Sequence, residues 1–149
     1  MNAQVITIAI CAALLAGCQD AATESDITDA RESAAENNRE ARANAADEIA
    51  GADARVADAE RAYERSDAVA ANALTRAESE AMINTANANF DVATTTAAGR
   101  YDIETERCDA LTGVAEEACD SAAQAKLDAS ELDAVASRDE ALMAAEYHE

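Results

Sequence analysis

Proline and tryptophan are absent from this chain of 149 residues, and aromatic side chains make up only 3%. Without proline, nothing in the sequence forces a helix to break. Larger apolar residues are also sparse, so a thick core is not expected to offset the entropy lost on folding. Glycine occurs four times, at positions 17, 51, 99 and 113, too sparsely for a glycine-rich phosphate-binding loop. Positive charge is scarce as well: 11 Lys and Arg face 31 Asp and Glu, for a net charge of −20. Such a field repels phosphate backbones, so nucleic acid is not an expected partner. It suits a solvated surface that resists random association, and it could also attract cations or basic partners. The one long apolar run, Val5 to Ala16, is too short to cross roughly 30 Å of hydrocarbon as a helix.

What is present is alanine, 43 residues of it, within a hydrophobic fraction of 50%. Alanine adds little transfer free energy on burial, whereas ordering the backbone costs about 1–2 kcal/mol per residue. It is also the best helix former, with Glu and Arg close behind. The composition therefore predicts an all-α fold of elongated, Ala-rich helices with thin contacts.

The first 17 residues, MNAQVITIAICAALLAG, have the length and apolar centre of a signal peptide. The run ends Leu15-Ala16-Gly17-Cys18, which resembles the lipobox of bacterial lipoproteins. The resemblance implies cleavage before Cys18, acylation of its thiol, and anchoring to a membrane through two to three acyl chains such as palmitate. That number of chains meets the two-signal requirement for stable attachment. Gln19 in place of Asp, by the same resemblance, is compatible with outer-membrane delivery and a periplasm-facing protein. One departure is that Met1-Asn2-Ala3-Gln4 lacks the Lys or Arg that opens such leaders.

Removing Cys11 with the leader and acylating Cys18 leaves Cys108 and Cys119. An exported compartment permits a disulfide. On one continuous helix the two would stand about 16 Å apart, beyond disulfide reach. Between them lies Gly113, a natural helix terminator, followed by Glu116 and Glu117, which suit the first turn of a new helix. The spacing predicts a C-terminal helical hairpin turning at about Gly113, with the cysteines face to face. Phe90, Ala97, Tyr101, Cys108 and Leu111 before the turn, and Cys119, Leu127, Val135 and Leu142 after it, fit one stripe of each helix. Zinc and redox roles are the rivals to a structural disulfide. Zinc lacks histidine partners, His148 being the only one, and the acidic residues around both cysteines disfavour a reactive thiolate. The stretch from Tyr101 through Cys108-Asp-Ala-Leu111-Thr-Gly113 to Ala115-Glu-Glu-Ala-Cys119 resembles a module of small, Ala-rich exported proteobacterial proteins without a settled activity. Glu116 and Glu117 stand where basic residues are frequent in that module.

The organisation read from the sequence is a leader at 1–17, a lipid-anchored linker at 18–28, an Ala-rich polar helical region at 29–98 and a disulfide-linked hairpin region at 99–149. In the middle region Ile49, Val56 and Tyr63 step by seven, with Ala52 and Ala59 between them, a weak coiled-coil pattern. Asp29 with Glu32 offers a capping box at a helix start. Phe90-Asp-Val-Ala-Thr94 is echoed by Tyr101-Asp-Ile-Glu-Thr105 after 11 residues, three helical turns. Gly99, between the echoes, is a place for a bend or break.

No GxSxG, HExxH, P-loop, GxGxxG or EF-hand spacing occurs. No catalytic residue, metal ligand or cofactor is therefore expected. The expected role is structural or interactive, at the envelope, with an envelope protein or a second copy as partner. Two other readings stand beside it. A hydrophilic helix former with 11-residue echoes resembles stress-protective, holdase-like proteins, although those are usually rich in lysine. The acidic surface could instead bind cations.

Overall fold

The computed structural model describes residues 23–65 and 68–148, which form three long helices: α1 (Glu24–Tyr63), α2 (Ala68–Cys108) and α3 (Val114–His148). There is no strand among the described residues, and the fold is all-α. A helix of 40 residues such as α1 is about 60 Å long at 1.5 Å per residue.

α1 starts earlier than the sequence pattern placed it. Thr23 is its N-cap and Asp26 completes a capping box. The Asp26 carboxylate accepts the Thr23 backbone N–H at 2.6 Å, and the Thr23 hydroxyl accepts the Asp26 N–H at 3.4 Å. The box expected at Asp29 and Glu32 is therefore not the one used. Both lie inside α1, and so do residues 24–28 of the expected linker. Thr23-Glu-Ser-Asp26 offers the same spacing one turn and a half earlier, where it satisfies donors of a longer helix.

The region from 29 to 98 is not one helical rod. α1 ends at Tyr63, and α2 folds back antiparallel beside it, so that Ala34 meets Gly99 and Asn38 meets Thr96. In the sequence the only signal for this first hairpin is Ser66-Asp67 ahead of Ala68, polar residues of the kind that precede helices. α2 runs unbroken through Gly99, so the boundary drawn at 98/99 falls inside it. The second hairpin turns where the glycine marked it. Gly113 does not terminate α2, which ends at Cys108; it stands directly before α3 with φ +63°, and its carbonyl accepts the Glu117 N–H at 3.1 Å as α3 begins.

α2 is the middle of a three-helix layer. Its buried residues Ala86, Ala97 and Cys108 face α3, while Ala88 and Gly99 lie on the side of α1. Positions two apart differ by about 200° around a helix, nearly opposite directions. Hence α1 packs on one side of α2 and α3 on the other, and among the described residues α1 and α3 do not pack on each other.

The seams are made of small side chains, and along the facing stripes of α2 and α3 they recur at a spacing of 11. Ala34, Ala45 and Ala52 are buried in α1, Ala86, Ala97 and Cys108 on the α3 side of α2, and Ala123, Ala134 and Ala145 in α3. Eleven residues span three turns, so such a period keeps one face on its neighbour along a long, nearly straight helix. The larger side chains expected on the stripes flank these seams: Phe90, Tyr101, Leu127, Val135 and Leu142 are half-buried, and Leu111 is exposed. Alanine seams have no bulky knobs to fix their register, and polar ties do so instead. Thr96 donates to the Asn38 side-chain oxygen at 2.5 Å between α1 and α2. Ser79, only 1% exposed, donates to the Ala145 carbonyl at 3.1 Å between α2 and α3.

Candidate functional site

Because the layer is one helix thick, α2 keeps two exposed stripes, one on each face of the molecule. On one face Asn89, Ala93, Thr96, Arg100, Ile103 and Arg107 follow one another at steps of three and four. All of them line two adjoining grooves beside α3. On the other face lie Asp91 and Asp102, both exposed. Asp91 is nine residues from Arg100, about 180° around the helix, and Asp102 is two residues from it, about 200°. α2 therefore presents an arginine edge on one face of the layer and an acidic edge on the other.

The first groove, of about 660 Å³, has Ala97, Tyr101, Ile103, Ala123 and Leu127 as its apolar floor. Arg31 reaches it from α1, Arg100 and Arg107 come from α2, and Lys126 from α3. Its one acidic group among the described residues is Glu104, which binds Arg107 at 2.9 Å and Lys126 at 3.6 Å. The second groove, of about 510 Å³, continues from the first through Ala97, Arg100 and Ser130. There the Arg138 guanidinium lies over the Phe90 ring at 4.6 Å, a cation–π contact between α3 and α2. Together the grooves gather Arg31, Arg100, Arg107, Lys126 and Arg138, five of the chain's 11 Lys and Arg. Among the described residues, Glu104 and Asp133 are the acidic groups that line them.

Beyond the end of this face, the hairpin is closed by the cysteines. Cys108 and Cys119 stand at disulfide distance, Cα to Cα 5.4 Å, with Cys108 fully buried. Gly113 sits at the turn between them. Cys18, the expected lipidation residue, lies outside the described residues. At the open end of the same helix pair, His148 and Glu78 stand 3.0 Å apart. The Asp26 carboxyl is held below its ordinary range by the Thr23 N–H and hydroxyl. No three His, Cys, Asp or Glu side chains converge as a metal cluster among the described residues, and no described helix is long and apolar enough to cross a membrane.

The basic groove was not legible from the sequence alone. Arg100 and Arg107 share a stripe seven residues apart, which the period of a helix would reveal. Arg31 and Lys126 belong to other helices, and only the two hairpins bring them to the same place. The chain matches no known family model, no curated protein and no solved structure.

Proposed function

We propose that this chain is a lipid-anchored, periplasm-facing protein of the bacterial envelope, tethered through Cys18, with a structural or interaction role and no catalysis. The observation that carries the reading is the cysteine pair at disulfide distance across the Gly113 turn. Such a pair suits an oxidising, exported compartment, the compartment to which Leu15-Ala16-Gly17-Cys18 would direct the chain. A layer about 60 Å long with two open faces offers area for a partner along its length. Its acidic exterior favours solubility over random association.

The test is metabolic labelling of cells with a radioactive fatty acid, with and without globomycin. The expected outcome is a labelled mature product from the wild-type chain. Cys18→Ala should lose the label, and globomycin should make the unprocessed form accumulate. Absence of label on a Cys18-bearing product removes the anchor and the localisation with it.

A second reading, a stress-protective or holdase-like role, draws on one observation: an 11-residue period runs along the facing seams of α2 and α3 in a hydrophilic, Ala-rich chain. Protection of a heat-labile enzyme by the purified protein would favour it over a purely structural role.

A further inference from the structure

We propose that the adjoining grooves between α2 and α3 bind a long-chain carboxylate. Its head group lies among Arg31, Arg100, Arg107 and Lys126, and its tail runs over Tyr101 and Leu127 toward Phe90. The site goes beyond the envelope role and stands whether or not Cys18 carries a lipid.

Charge is the first argument. In a chain of net charge −20, the first groove brings together, among the described residues, four cations against one carboxylate, and that carboxylate is already shared by Arg107 and Lys126. Among the described residues no carboxylate lies within ion-pair distance of Arg31 or Arg100. Two exposed guanidinium groups are thus left facing the groove, and their planar forks match a carboxylate through two parallel hydrogen bonds.

The floor is the second argument. A bare anion would satisfy the cations and leave Tyr101, Ile103 and Leu127 half-exposed to water. An attached hydrocarbon tail would cover them. The volume of about 660 Å³ lies within the roughly 300–1,000 Å³ usual for small-ligand sites. From Arg107 to Phe90 the adjoining grooves follow α2 for about 25 Å, a length that suits a rod-like tail.

The rest of the surface is the third argument. Outside the grooves the acidic exterior repels an extended polyanion or an anionic membrane. A single head group seated among the arginines feels those nearest charges most, because others are screened beyond about 8–10 Å at moderate salt.

The experiment uses the full-length chain carrying Cys18→Ser, so that no acyl group is attached, with dodecanoate below its micellar concentration as the probe. Calorimetry should give saturable one-to-one binding, and the amides of Arg100, Ile103 and Leu127 should shift in NMR spectra. Arg31→Glu with Arg100→Glu, both at exposed positions, should weaken binding at least about tenfold, the equivalent of one lost charge-assisted contact. Circular dichroism checks that this variant folds. Arg39→Glu with Arg42→Glu, on α1 outside the grooves, should leave binding unchanged. The proposal is overturned if dodecanoate does not saturate, or if dodecyl maltoside binds as well. It is equally overturned if acetate binds as tightly as dodecanoate, or if the folded Arg31→Glu, Arg100→Glu chain keeps its affinity. Self-association through the groove in place of ligand binding would overturn it as well.

Discussion

Gly51 and Gly99 are both helical glycines, and their substitutions act in opposite directions. A Cβ on Gly51 would meet only the Arg55 guanidinium end at 3.8 Å. Gly51→Ala therefore gains helix propensity without a clash, and the melting temperature should rise by the equivalent of about 0.5–1 kcal/mol. A Cβ on Gly99 would come within 2.8 Å of the Ala34 Cβ. Gly99→Leu drives a branched side chain into the α1–α2 seam, and a loss of about 1–3 kcal/mol is expected from overpacking. Thermal melts of the two variants check both signs. Nothing in the sequence separates the two positions, since the difference lies in which neighbour each glycine faces. Asp26 carries the pH-dependent prediction. Its carboxyl is held below the ordinary value of 3.8 by the Thr23 N–H and hydroxyl. A lowered acid pKa means stability that is present above the ordinary value and lost as pH falls through the folded one. The first turn of α1 should fray on acidification below about pH 4, read by amide exchange at Ile27 and Thr28. Asp26→Asn should fray already at neutral pH and show little further acid dependence.

At the scale of elements, the Gly113 hairpin and the hairpin between Tyr63 and Ala68 differ in how they are held. The first has a left-handed glycine and a cysteine pair across it; the second follows an ordinary helix end in which the Glu64 N–H bonds the Glu60 carbonyl at 2.9 Å. Reduction of Cys108–Cys119, or Cys108→Ala with Cys119→Ala, should lower stability by about 3 kcal/mol in the chain-entropy account of a short closed loop. Gly113→Ala keeps the cross-link and strains the turn, with an expected loss of about 1–2 kcal/mol. Denaturant titrations with and without reductant measure both. If reduction leaves the midpoint unchanged, the α2–α3 pairing rests on its alanine seam, on the Ser79–Ala145 bond and on the Arg138–Phe90 contact. Gly113 was legible because a glycine centred between two cysteines carries its own local reason. The first hairpin was not, because alanine on both sides of it continues the same helical pattern.

The whole molecule is a layer, not a closed bundle. A layer about 60 Å long, three helices wide and one helix thick should give a radius of gyration of about 19 Å. A compact globule of the chain's 149 residues would give about 15 Å. Small-angle X-ray scattering on the monomer carrying Cys18→Ser distinguishes them, and a value near 15 Å would mean that α1 and α3 close on each other. The layer also explains the uneven surface. A closed bundle would bury one stripe of α2 against both partners, whereas here the arginine and aspartate stripes stay open on opposite faces.

Composition by itself determined the helical fold class: alanine without proline leaves the backbone little alternative, and local propensity acts within a few residues. The Cys108–Gly113–Cys119 spacing likewise determined the second turn. Tertiary structure decided the rest, because it depends on residues far apart in the chain. Ala34 against Gly99 and Asn38 against Thr96 set the first hairpin, and the nearly opposite seams of α2 made a layer. Only then did Arg31, Arg100, Arg107 and Lys126 come together over one apolar floor.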